Sequence, residues 1–151
     1  MELLNLGKVM LENISPGKYL TCTNLTRVEL EQLFTTLMAQ TRLTDISIES
    51  SDLSGVSEGF LAQSLSRMRF LELSGNNLTP SQLNALFSLL KDSTELEEIV
   101  VTRNILSHVP AEDLAASLAR LRKVKLEYSY LTSEQCCQIL TLGKYSFLSK
   151  L

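Results

Sequence analysis

One histidine and three cysteines leave this 151-residue chain little material for group-transfer chemistry. His108 stands two residues before Pro110, in a stretch that reads as a loop, with no obvious nucleophile near it in sequence. A nucleophile and its base must lie within hydrogen-bond reach of each other. Cys136 and Cys137 are adjacent in a helical stretch, so only one can face a core. A metal site needs more ligands in convergent geometry, and the sequence offers none. Glu97-Glu98 and Glu112-Asp113 read as exposed charge, and no glycine-rich phosphate loop occurs. The expectation is a non-enzyme, with no catalytic residue, metal or cofactor.

What remains is recognition by alternating side chains. In Met68–Leu78, MRFLELSGNNL, Leu71 and Leu73 are two apart and share one face of a strand. Phe70, Glu72 and Ser74 share the other. The frame apolar-x-x-Leu-x-Leu-x-x-Asn-x-Leu returns at Leu96, Ile99, Val101, Asn104 and Leu106, and at Leu121, Val124, Leu126, Ser129 and Leu131. Upstream it fits Leu43, Ile46, Ile48, Ser51 and Leu53, and in degenerate form Leu20, Thr23 and Leu25. The outward side chains then form three rows: Gly17, Asp45, Phe70, Glu98, Lys123; Tyr19, Ser47, Glu72, Val100, Lys125; and Thr21, Glu49, Ser74, Thr102, Glu127. Aromatic residues are favoured at binding hot spots, and alternating charge orients a partner. The candidate partner-binding residues are Tyr19, Asp45, Glu49, Phe70, Glu72, Glu98, Thr102, Lys123, Lys125, Glu127 and Tyr128, with Tyr130 adding aromatic area.

The elements that must hold these rows follow the same frame. Asn76 and its counterparts fall where the chain turns, where a side-chain amide satisfies backbone groups left unpaired. Thr26, Ser54, Thr79, Ser107 and Thr132 come next, residues suited to cap a helix. Thr26 with Glu29, Thr79 with Gln82, and Thr132 with Gln135 have the spacing of a capping box. Helical apolar spacing follows, as in Leu30, Leu33 and Leu37 or Leu83, Leu86 and Leu90. Predicted strands are 18–22, 45–49, 70–74, 98–102 and 123–127. Predicted helices are 27–40, 55–66 (weakened by Gly55 and Gly59), 80–92, one starting at Pro110, and 133–142. Residues 1–14 read as a half-repeat or capping helix, with Leu3, Leu6 and Met10 at helical spacing.

The units start at 15, 43, 68, 96 and 121, so their lengths alternate between 28 and 25. A strand plus a helix at this period resembles the leucine-rich repeat, and the Leu-Thr step into a true helix resembles its ribonuclease-inhibitor type. The stretch LTSEQCCQIL is similar to the cysteine-bearing helix of that type. The resemblance covers about residues 15–142. It implies a right-handed α/β solenoid, or horseshoe, with a parallel sheet on the concave face and helices on the convex face. It further implies a protein-binding module of the kind found in cytosolic NOD-like innate-immune receptors. Two other functions keep the same fold: a GTPase-activating protein of the Ran type, and a structural spacer.

Bulk properties narrow the partner. Net charge is −3 with a pI near 5.2, and no basic block is present. Non-specific nucleic-acid binding needs several cations on one surface, so a protein partner is expected. No apolar run is long enough to span a membrane, and the N-terminus has no basic signal-peptide region. Three cysteines make no disulfide framework, which favours reduced thiols and a cytoplasmic location. The sequons at Asn13, Asn24 and Asn77 compete with that reading, though two arise from the turn itself. Because Leu148 and Leu151 open another frame, a fragment of a larger protein is expected. Oligomeric state is not legible.

Overall fold

The computed structural model describes residues 8–13, 17–39 and 43–142. Among them, one open six-stranded sheet runs in chain order, accompanied by five helices. Strands β2 (Lys18–Thr23), β3 (Leu43–Glu49), β4 (Phe70–Glu72), β5 (Glu98–Val100) and β6 (Lys123–Lys125) are parallel neighbours. Helices α1 (Arg27–Ala39), α2 (Glu58–Leu65), α3 (Pro80–Leu90), α4 (Ala111–Leu118) and α5 (Ser133–Leu142) alternate with them. Leu20, Cys22, Ile46, Ile48, Leu71, Leu73, Ile99, Val101, Val124 and Leu126 point into one apolar cluster with the buried sides of the helices. Burial pushes the Cys22 thiol up to about 12, so it stays protonated and inert.

The first strand, β1 (Val9–Asn13), corrects the expectation of a helix over 1–14 in the part that is described. It pairs antiparallel with β2, Val9 opposite Cys22 and Asn13 opposite Lys18. A three-residue apolar run, Val9–Leu11, fits either period, so periodicity alone cannot decide it. An unpaired β2 edge can decide it, because every backbone group there needs a partner. Residues 1–7, and the frame that opens at Leu148, lie outside the described residues.

The turns after the strands are closed from the next unit. Asn76 Nδ2 donates to Ile48 O, and its Oδ1 accepts from Ser51 N at 3.1 Å. Asn104 Nδ2 donates to Leu73 O at 3.0 Å and to Val101 O at 3.2 Å. Ser129 Oγ donates to Val101 O at 3.1 Å, and Ser51 Oγ accepts from Leu25 N at 3.1 Å. Each side chain therefore bonds to backbone in the preceding unit rather than to its own counterpart. Thr23, expected on this ladder, belongs instead to β2 opposite Glu49. The ladder position of the first unit is Leu25. Only three residues separate Cys22 from Thr26, against five between Ile48 and Ser54, so the first turn is shorter by two.

The alternating unit length has a structural cause. All three capping boxes form: Thr26 with Glu29, Thr79 with Gln82, and Thr132 with Gln135. Ser54 and Ser107, expected as caps, are not. A 3-10 turn at Leu53–Gly55 and a similar turn closed by Val109 N to Leu106 O intervene. Helices α2 and α4 start later, after Ser57 and Pro110, without a side-chain cap. The turns are completed from the capping boxes that follow. Gln82 Nε2 donates to Leu53 O and Val56 O, both at 2.7 Å. Gln135 Nε2 donates to Leu106 O at 2.6 Å and Val109 O at 2.8 Å. Glu29 is placed against Lys8 Nζ at 3.0 Å instead, and its carboxyl is held below the usual range, first by the Thr26 backbone N–H.

An amide is thus needed where carbonyls converge, and a carboxylate where a cation does. Gln82→Glu, nearly isosteric, puts a buried charge against two carbonyl oxygens and should cost roughly 3 kcal/mol or more. Glu29→Gln, at the exposed edge, should cost less than that. Urea midpoints of the two variants check the order.

Candidate functional site

The strand face opposite the core carries the three rows, with one correction at the first strand. Tyr19 lies opposite Asp45, not Ser47, and Thr21 lies opposite Ser47. The rows are Tyr19, Asp45, Phe70, Glu98, Lys123; Thr21, Ser47, Glu72, Val100, Lys125; and Thr23, Glu49, Ser74, Thr102, Glu127. Gly17, expected in the first row, precedes β2 and takes no part. The cause is the same two-residue shortening of the first turn. Backbone bonds extend the ladder past the short strands, Gly75 N to Thr102 O and Arg103 N to Glu127 O.

The first row neutralises much of its own charge. Arg69 Nη2 reaches both oxygens of Asp45, at 2.9 and 3.2 Å, and its Nη1 lies 3.5 Å from Glu97. Arg122 pairs with Glu98. The Tyr19 and Phe70 rings meet edge to face, centroids 5.8 Å apart, spanning the strand that carries Asp45. A cavity of about 250 Å³ lies among these groups. Arg69 and Arg122 are absent from the expected set. Each immediately precedes its strand, so the alternation rule never reached it. The legible signal was an arginine flanking a row of acids.

The third row is different. Its Glu49 and Glu127, with Glu72 of the second row beside them, take part in no ion pair among the described residues. Ser47 Oγ donates to Glu72 at 2.5 Å, and Thr102 Oγ1 to Ser74 Oγ at 2.8 Å. The Glu72 carboxyl is within hydrogen-bond reach of Glu49 and holds the Glu49 pKa above the ordinary carboxylate value, by that bond first and by repulsion second.

At the rim of this row the backbone turns left-handed in every unit. Asn24, Ser50, Gly75, Arg103 and Tyr128 all have positive φ, between 52° and 67°. Each directly precedes the ladder position. Only glycine adopts this conformation without steric cost, yet Arg103 and Tyr128 occupy it with large side chains, and Tyr128 is 72% exposed. Tyr130, also at positive φ, is 68% exposed. A groove of about 320 Å³ runs between Glu49 and Ser50 on one side and Arg103, Glu127 and Tyr128 on the other, over Ser74, Gly75 and Thr102. Of the expected binding residues, Glu49, Thr102, Glu127 and Tyr128 come together here. Tyr19, Asp45, Phe70 and Glu98 come together in the first cavity. Lys123 and Lys125 are exposed on β6 and line neither.

His108 is exposed in the turn before α4, and Cys136 and Cys137 share α5. No group of three or more His, Cys, Asp or Glu suited to a metal occurs among the described residues. No protein-family model matches this chain, and no curated protein matches it as a relative.

Two measurements test this electrostatic and steric reading. A raised folded-state pKa means that protonated Glu49 favours the fold, a contribution present at low pH and lost as pH rises through that value. Glu49→Gln should therefore raise the melting temperature at pH 7, and the gap should close as pH falls through the ordinary carboxylate range. Tyr128→Gly should leave stability unchanged or raise it by up to about 1 kcal/mol. Lys125→Gly, in an ordinary strand conformation, should lower it by about 0.5–1 kcal/mol in the same urea titration.

Proposed function

We propose that this chain is a non-enzymatic protein-binding module, built as a right-handed α/β solenoid of ribonuclease-inhibitor-type leucine-rich repeats. The strands line its concave side and the helices its convex side, and the strand face takes the partner. The resemblance of the frame further supports a ligand-sensing segment of a cytoplasmic, NOD-like innate-immune receptor. One observation carries the binding reading. Parallel sheets are ordinarily covered on both faces, but this one ends outward in exposed Glu49, Lys123, Lys125, Glu127 and Tyr128. Chain-order pairing of β2 to β6, in constant register from β3 onward, supports the stacking. Among the described residues no helix is long and apolar enough to cross a membrane.

Capture of partners by immobilised protein tests the face. The Phe70→Ala/Glu72→Lys variant should lose a partner that wild type retains. Gln63→Lys, exposed on α2, should retain it. Equal recovery of every partner by all three proteins would overturn the assignment of the contact surface.

A further inference from the structure

The groove over Gly75 has features that say what it receives. Its two ends are carboxylates, Glu49 with neighbouring Glu72 at β3 and β4, and Glu127 beyond β6. None of the three has a cationic partner among the described residues, whereas Asp45 and Glu98 each hold an arginine. The floor between the ends is neutral: the bonded Ser74 and Thr102 hydroxyls, and Gly75, where an added Cβ would meet nothing within 4 Å. Arg103 stands on the rim between the ends, so a cation at mid-groove is opposed. Tyr128 supplies an exposed aromatic wall beside Glu127.

We propose that this groove holds an extended polypeptide segment of the protein partner, with two basic side chains four residues apart, one against Glu49 and Glu72 and one against Glu127. The proposal rests on the partner-binding reading above and deepens it. The spacing follows from sheet geometry. Three strand steps of about 4.8 Å separate Glu49 from Glu127, roughly 14 Å in all. Residues i and i+4 of an extended chain point the same way and lie about 13.6 Å apart. A neutral residue at i+2 then faces the hydroxyl floor and escapes Arg103. Repulsion between Glu49 and Glu72 is relieved when a cation docks beside them.

The probe is acetyl-Gly-Arg-Gly-Ser-Gly-Arg-Gly amide, titrated at low salt into the full ¹⁵N-labelled chain. Its amide shifts should centre on Ser74, Gly75, Thr102 and Arg103. A citrulline-for-arginine analogue should bind about tenfold more weakly, as should a Glu49→Gln/Glu127→Gln variant. Ser74→Arg, which puts a cation on the floor, should also weaken binding while leaving the circular dichroism spectrum unchanged. An analogue with its arginines two residues apart should bind less well than the probe. Equal binding of the arginine and citrulline peptides, shifts centred elsewhere, or no binding would overturn the proposal. Absent peptide binding combined with partner loss in Phe70→Ala/Glu72→Lys would overturn this inference alone and leave the contact face assigned.

Discussion

The buried carbonyl oxygens at the end of each strand and in each turn govern the structure. A backbone acceptor removed from water must find a donor, and here the donors come from the following unit. Asn76 reaches Ile48 O, Asn104 reaches Leu73 O, Gln82 reaches Leu53 O and Val56 O, and Gln135 reaches Leu106 O and Val109 O. These carbonyls find their side-chain donor only when the following unit is in place. Apolar burial drives the units together without direction. The amides set their order and register, because a shift by one residue strands a buried acceptor.

Much of this was legible, and the failures share a cause. Leucine alternation placed β3 to β6 and the rows they carry, and the Thr-x-x-Gln spacing placed α3 and α5. What failed was the strand side of the first unit. Its strand and its helix cap lie in two different frames, separated by a turn shortened by two residues. A sequence frame assumes constant spacing, so fixing Thr26 correctly placed Thr23 rather than Leu25 on the ladder and displaced Tyr19 by one pair. The strand β1 was missed because a short apolar run carries no decisive period, and the edge it covers is a tertiary fact. The caps at Ser54 and Ser107 failed because a serine caps only if the helix begins there. Gly55 and Pro110 delay those helices.

The charges on the strand face were legible as types but not as states. Asp45 and Glu98 appeared equivalent to Glu49 and Glu127 by alternation, yet the first two are matched by Arg69 and Arg122 within the chain. A salt bridge already made is a poor handle for a partner, since docking must break or desolvate it. Unpaired carboxylates carry no such penalty. The face is therefore polarised, with the acids of its first row matched by arginines and Glu49 and Glu127 of its third row exposed.

Backbone strain points the same way. Every unit needs a left-handed residue just before its ladder position, so that the turn can present its carbonyls to the next amide. Gly75 meets that need at least cost, while Ser50, Arg103 and Tyr128 meet it with a side chain present. The turn explains the conformation but not the choice of arginine and tyrosine, whose exposed side chains add nothing to the apolar core. Strain retained without a folding benefit is a reason to seek a role in contact. Both residues border the row whose carboxylates lack cationic partners among the described residues, so conformation and electrostatics select the same edge of the sheet. The amide ladder fixes that edge in place, and a surface already ordered loses little entropy when a partner arrives.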